Sequence, residues 1–373
     1  MNTSRIYIDP TIITWAINRA GKDIETFTKK YPHVSAWINK EKEPTIKQLE
    51  DFARNLYLPF GYLFLSTPPR EVSPIPFFRN IYSNNQFSLN VYDTILMMQN
   101  RQDWLSEYLK ENEFDQLEYV GAYTVSSGVN TVVNAIRSLL QINENWASTY
   151  SKAHDALNFL TNKAENNGII ISFNSVVGNN TTRHISVDEC RGFALVNNYA
   201  PFIFINSADS KSAQLFTLIH EIAHVLIGFS AGYSTDENTL INNANEKFCD
   251  KVAAELLVPT TLFKTAWNLK NGDFEKISRQ FCVSKLVIAR RALDYNFITR
   301  DDFFKFYNEY KKIDFSSKNK TKGGDFYHTA FKRISKTFAM HVNNALRTNQ
   351  LLYREAYTLT GLNGNTFSNL MSK

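Results

Sequence analysis

Proline, glycine and cysteine are all scarce: 10, 14 and 3 among 373 residues. The low proline and glycine exclude collagen-like and low-complexity architectures. The cysteines (Cys190, Cys249, Cys282) are odd in number, widely spaced and form no CxxC pair, which argues against a disulfide framework and against a zinc ribbon. No stretch approaches 18 consecutive apolar residues, so no membrane-spanning helix and no membrane partner is expected. The opening MNTSRIYIDPTIITWAINRAG lacks the apolar run of a signal peptide. With free thiols tolerated in a reducing compartment, these absences give a cytoplasmic expectation. A strong charge excess is missing too; a net +5 is mild for this length and is no argument by itself for nucleic acid.

What is present is apolar and aromatic. A hydrophobic fraction of 43% with 28 Phe and 18 Tyr is ample for a sizeable core, and the length favours two or three domains. Residues 1–80 read as helical. Ile12–Ile17 carries apolar residues at helical spacing, Asp23 is placed to cap a helix over Ile24–Lys30, and Val34–Asn39 suggests a third. Pro44-Thr45 opens a fourth, with Leu49, Phe52, Ala53 and Leu56 on one stripe. Prolines 59, 68, 69, 74 and 76 punctuate the exit. Residues 81–165 read as a helical connecting region. Short β-type runs follow at 168–173, 192–196 and 201–205, then helices at 213–228 and 245–259 and a helix pair at 274–293. The polar, basic stretch 316–324 reads as a linker, and 326–373 as a helical tail.

The chemistry concentrates in His220-Glu221-Ile222-Ala223-His224. On a helix, residues i and i+4 stand on one face, so two imidazoles so spaced can bind one metal ion, usually zinc. Glu221, beside the first histidine, can hold and deprotonate a water at that metal. The flanks Leu215, Phe216, Leu218, Ile219, Val225, Leu226 and Ile227 are apolar. Two histidines and a glutamate inside such a run are costly unless partnered. In a chain with seven histidines, a chance HExxH is on the order of one in a hundred. A hydrolytic zinc site needs a third protein ligand. Downstream stand Asp236, Glu237, Glu246, Asp250 and Glu255. Asp236 and Glu237 read as a solvated turn, and Glu255 falls off the face shared by Glu246 and Asp250. Spacing alone leaves the third ligand open between Glu246 and Asp250, the other one supporting a ligand imidazole. Cys249 and Cys282 read as small buried hydrophobes.

Four motifs in order carry a family resemblance: Arg191-Gly192-Phe193-Ala194; Pro201 to Asn206; Phe216 to His224; and Glu246 to Pro259. Residues 168–300 resemble the ImmA/IrrE metallopeptidases. The resemblance implies Glu246 as third ligand, with Asp250 where the family has Asn and Val258 where it has Met. It also implies a minimal zincin-like core in residues 166–300, a small antiparallel sheet packed on the HExxH helix. Ile12–Leu56 resembles an XRE-type helix-turn-helix domain, followed by the Pro-rich exit found in long members of the family. The whole is then an α+β, mostly helical chain: an N-terminal all-α helix-turn-helix-like domain (1–80), the connecting region, the core, and a helical tail (301–373).

Two functions follow. The first is a zinc metallo-endopeptidase that cuts a cytoplasmic regulator, a repressor or antitoxin encoded nearby. Its metal would sit on His220, His224 and Glu246, with Glu221 as base and Asp250 in support. The second is a transcription regulator or antitoxin that binds DNA or protein through residues 1–80, with little proteolysis. Lys40 and Lys42 would be its DNA contacts, yet Glu41 and Glu43 cancel their charge, and the domain holds 11 Lys/Arg against 8 Asp/Glu. The tail has 12 against 6; Lys318, Lys320 and Lys322 read as a solvated joint.

Overall fold

The computed structural model describes residues 5–71, 88–233, 244–312 and 326–372. The chain is mostly helical with a small mixed sheet. It divides into two compact units, the described residues up to 71 with 88–93, and the described residues from 94 onward.

The first unit carries α1 (Pro10–Arg19), α2 (Ile24–Lys30), α3 (Pro32–Ile38) and α4 (Ile46–Asn55). Their starts are written in side chains that accept the free N–H groups of a first helical turn. Asp9 accepts from the Thr11 N–H, and Asp23 from the Thr26 N–H, both at 2.8 Å. Thr45 and Gln48 cap α4 reciprocally: the Gln48 N–H donates to Thr45 Oγ1 (3.3 Å) and the Thr45 N–H to Gln48 Oε1 (2.9 Å). The apolar faces close over Ile12, Ile17, Trp37, Leu49 and Leu56. Tyr31 alone joins α2 to α3, which has seven residues; a helix-turn-helix uses a turn of three or four. Lys40 and Lys42 are exposed and lie past the end of α3 rather than on it. Lys40 has φ of 60°, which stops the helix there.

The second unit takes α5 (Leu89–Glu111) from Thr94 onward, then α6 (Val129–Leu140) and α7 (Ala153–Glu165). Strands β1 (Ile170–Asn174), β2 (Val176–Val177), β3 (Asn180–His184), β4 (Gly192–Leu195) and β5 (Phe202–Asn206) lead into α8 (Lys211–Ile227). After β6 (Ala231–Tyr233) come α9 (Ala244–Leu257), α10 (Thr260–Leu269), α11 (Phe274–Phe281), α12 (Lys285–Asp294) and α13 (Arg300–Lys311). The last described helices are α14 (Phe326–Ile334), α15 (Lys336–Arg347), α16 (Tyr353–Thr360) and α17 (Gly364–Met371). The linker expected at 316–324, with its three lysines, lies outside the described residues.

The main sheet has the order β1-β5-β4-β6. It is mixed, which corrects the expectation of an antiparallel sheet: β1 runs parallel to β5, with Ile170 opposite Phe202, while β5–β4 and β4–β6 are antiparallel. The β2–β3 hairpin and β4 form a crossover long enough for the parallel pairing. Near-continuous burial of β1 and full burial of β5 suit a pair covered on both faces.

One core runs from α6 and α7 through the sheet to α12, so residues 129–164, expected to be a connecting region, contribute Val132, Ile136 and Leu160 to the packing around α8. The tail is also packed. Phe338 is fully buried, with ring centroids 5.7 Å from Phe202 and 5.6 Å from Trp104. Buried Arg101 donates to Leu359 O (2.7 Å) and Arg333 O (3.4 Å), carbonyls in the last turns of α16 and α14. A cation there meets the negative ends of two helix dipoles.

Candidate metal centre

Helix α8 is fixed at both ends. Ser210 accepts from the Ala213 N–H at its start. Its last turn ends on Gly228 (φ 72°), and the Phe229 N–H donates to His224 O at 3.1 Å. A stretch from the α5–α6 connection crosses this end: the Gly121 N–H donates to Val225 O (3.0 Å) and the Tyr123 N–H to Leu226 O (3.1 Å). Gly121 and Gly228 meet backbone to backbone, and a β-carbon on Gly228 would lie 3.0 Å from Gly121 Cα. The middle of α8 is buried all round, polar residues included.

His220 and His224, one turn apart, turn toward α9. Their Nε2 atoms lie 3.1 Å from each other. Glu246, in the first turn of α9, places Oε2 3.2 Å from His220 Nε2 and Oε1 3.1 Å from His224 Nε2. These three donors form the one such group among the described residues whose ligand atoms all lie within 4.8 Å of each other. Tetrahedral zinc with ligand bonds of ~2.1 Å has ligand–ligand edges of about 3.4 Å, close to these separations. Asp250, one turn beyond Glu246, stands behind the pair: His220 Nδ1–H faces its Oδ1 at 3.0 Å. In a neutral His220 that contact would hold the proton on Nδ1 and leave the Nε2 lone pair for the shared centre.

Glu221 is fully buried, and among the described residues neither carboxylate oxygen has a hydrogen-bond partner. Glu246 Oε1 and His224 Nδ1 also lack an aligned one. Four unsatisfied polar atoms in one buried cluster are far from the rule for protein interiors. They are the signature expected of a site that holds a cation and a water, so the donor set fits a metal.

The electrostatics agree. Burial pushes Glu221 well above the usual carboxylate range; the charge of His220 opposes this, and Glu246 and Asp250 add to it. Burial would lower His220, yet hydrogen bonds to Asp250 and Glu246 outweigh it and raise the imidazole to about 10. Burial lowers His224 against the pull of Glu246. Glu246 is brought down to about 2: burial would raise it, but the two imidazoles prevail. Without metal, the pair Glu246⁻/His220⁺ is therefore ionised, and His224 is neutral.

The remaining sequence candidates are elsewhere. Glu255 accepts from Arg291 (2.5 Å) and from the Thr260 N–H (2.9 Å). Cys249 is buried in the core, and burial pushes its thiol up. Asp236 and Glu237 lie outside the described residues. Spacing gave no hint of the crossing at Gly121, which depends on contacts between distant segments.

Residues 164–293 match the family model of the IrrE N-terminal-like domain, of the peptidase M78 type. The match supports an ImmA/IrrE-type metallopeptidase domain over this segment, and M78 peptidases are typically metal-dependent. It covers β1 to α12 and so includes all four site side chains and Asp250. Residues 334–373 match a domain of unknown function, DUF8813. No curated protein matches the chain. Among the described residues, no helix is long and apolar enough to cross a membrane.

Proposed function

We propose that the protein is a zinc-dependent metallo-endopeptidase that cuts a regulatory protein of the repressor or antitoxin type. The observation that carries this is the convergence of His220, His224 and Glu246 beside a buried carboxylate, Glu221, with both oxygens unpartnered. A regulator-type substrate rests on the resemblance to the ImmA/IrrE family alone.

The two Nε2 atoms and a Glu246 oxygen would hold the ion, with Asp250 fixing the His220 tautomer. When bound, zinc supplies Lewis acidity, polarising a peptide carbonyl and lowering the pKa of water. Glu221 takes a proton from the attacking water as the new C–O bond forms. Glu221 then hands that proton to the departing amine nitrogen as the C–N bond breaks. Gly192, which has no side chain, leaves the carboxylate room against β4.

The test is cleavage of the protein encoded next to this one, with zinc measured in the same preparation. Wild type should cleave it and Glu221→Gln should not, while both carry zinc. A Glu221→Gln protein that retains full cellular activity, in an organism where changes to residues 1–80 abolish it, would favour the DNA- or protein-binding regulator instead.

A further inference from the structure

Gly192 opens β4 directly against the face of α8 that carries Glu221. Its φ is unremarkable for any residue, so backbone conformation does not require glycine there. Space does. A β-carbon at 192 would lie 2.5 Å from Thr217 Cγ2, 2.8 Å from Phe204 O and 3.2 Å from Glu221 Oε1. Thr217 and Glu221 are i and i+4 on α8, hence on one face, and Thr217 is itself buried. The bare backbone at 192 and the Thr217 methyl therefore wall in the space that the Glu221 carboxylate occupies. Among the described residues no donor reaches either oxygen of that carboxylate. A charged or neutral carboxyl group without hydrogen bonds is positioned by shape alone.

We infer that Gly192 and Thr217 are positioning residues for Glu221, setting the direction in which the base presents its carboxylate to the metal-side water. The inference rests on the peptidase reading and deepens it: a side chain at 192 would leave the ligand set intact while misdirecting the base. Gly192 sits in register with Ile205 on β5 and Tyr233 on β6, so the strand is held from both sides and cannot simply move away from α8.

The probe is acetohydroxamate, which chelates a metal through two oxygens and, in binding, passes a proton to a carboxylate beside it. It is titrated calorimetrically into the zinc-loaded full-length protein, with zinc content and thermal unfolding measured in parallel. Loss of a group that orients the site typically costs about 10–100-fold. Gly192→Ala should keep its zinc and weaken acetohydroxamate by about tenfold or more, as Glu221→Gln should. Thr217→Ser, which removes only the crowding methyl, should bind like wild type. Combined with Gly192→Ala it should recover most of the loss, the residual reflecting the 2.8 Å approach to Phe204 O. If Gly192→Ala does not fold, Thr217→Ile crowds the same space from the helix side without touching the strand, and should reproduce the weakening. Wild-type affinity in Gly192→Ala or, where that variant does not fold, in Thr217→Ile, overturns the assignment. So does a loss that Thr217→Ser fails to relieve. A wild type that binds zinc but not acetohydroxamate also overturns it, and a wild type that takes up no zinc overturns the peptidase reading with it.

Discussion

The helices of the first unit and the α8–α9 pair of the second handle buried polarity in opposite ways. In α1, α2 and α4, side chains at the helix starts are matched to backbone donors, and the interior is purely apolar. Among the described residues, none of the buried side-chain nitrogens or oxygens without a partner falls within 5–71. In α8 and α9, two histidines and a glutamate crowd together while Glu221 keeps both oxygens unpaired. A completed polar inventory is what folding alone demands. An incomplete one among the described residues of a well-packed core, beside two imidazoles and a carboxylate that could hold a metal ion, is what the proposed metal site would complete.

The contrast can be broken most forcefully at Glu246. Glu246→Gln should weaken zinc by far more than the roughly 10–100-fold expected for Asp250→Asn. Competition with a chelating dye measures both. Equal losses, or a larger one at Asp250, would move the third ligand to Asp250.

The next effect is a proton count. Without metal, His220 is held protonated up to about 10, and it must give up its Nε2 proton to ligate. Zinc uptake at pH 8 should thus release about one proton or more from the site, and affinity should rise with pH toward that value. Calorimetry in buffers of different ionisation enthalpy gives the number, and a value of zero contradicts the His220⁺/Glu246⁻ assignment. The same shifts act on the metal-free fold. The His220 contribution is present below 6.5 and lost as pH rises through about 10; the Glu246 contribution is present above 4.5 and lost as pH falls through about 2.

The smallest effect tests the first unit. If it binds DNA, Lys40→Glu with Lys42→Glu should lower the salt dependence of binding by about one for each lost phosphate contact. Both lysines lie on the turn past α3, so unchanged salt dependence would leave residues 5–71 without a phosphate-contacting role there and would sharpen the contrast between the units.

Much of the site was legible because its logic is local. HExxH on an apolar helix places two imidazoles together by period alone, and Glu246 with Asp250 share a face for the same reason. Spacing could not choose between those two acids; the approach of α9 to α8 gathers Glu246, not Asp250, with the two Nε2 atoms. Caps at Asp23 and Thr45 were readable because they act within three residues. The β2–β3 hairpin escaped notice because Asn180–His184 is polar and exposed with no alternating apolar pattern. The parallel direction of β1 and the packing of the tail on Phe202 depend on segments far apart in the chain. Gly192 looks like any other glycine until Thr217 and Glu221 are seen beside it.

Elemental analysis of purified wild type, His220→Ala/His224→Ala and Glu221→Gln tests the central claim most directly. The account predicts about one zinc per chain in wild type and in Glu221→Gln, and none in the double histidine variant. Full zinc in the double histidine variant, or its loss in Glu221→Gln with the fold intact, would contradict it.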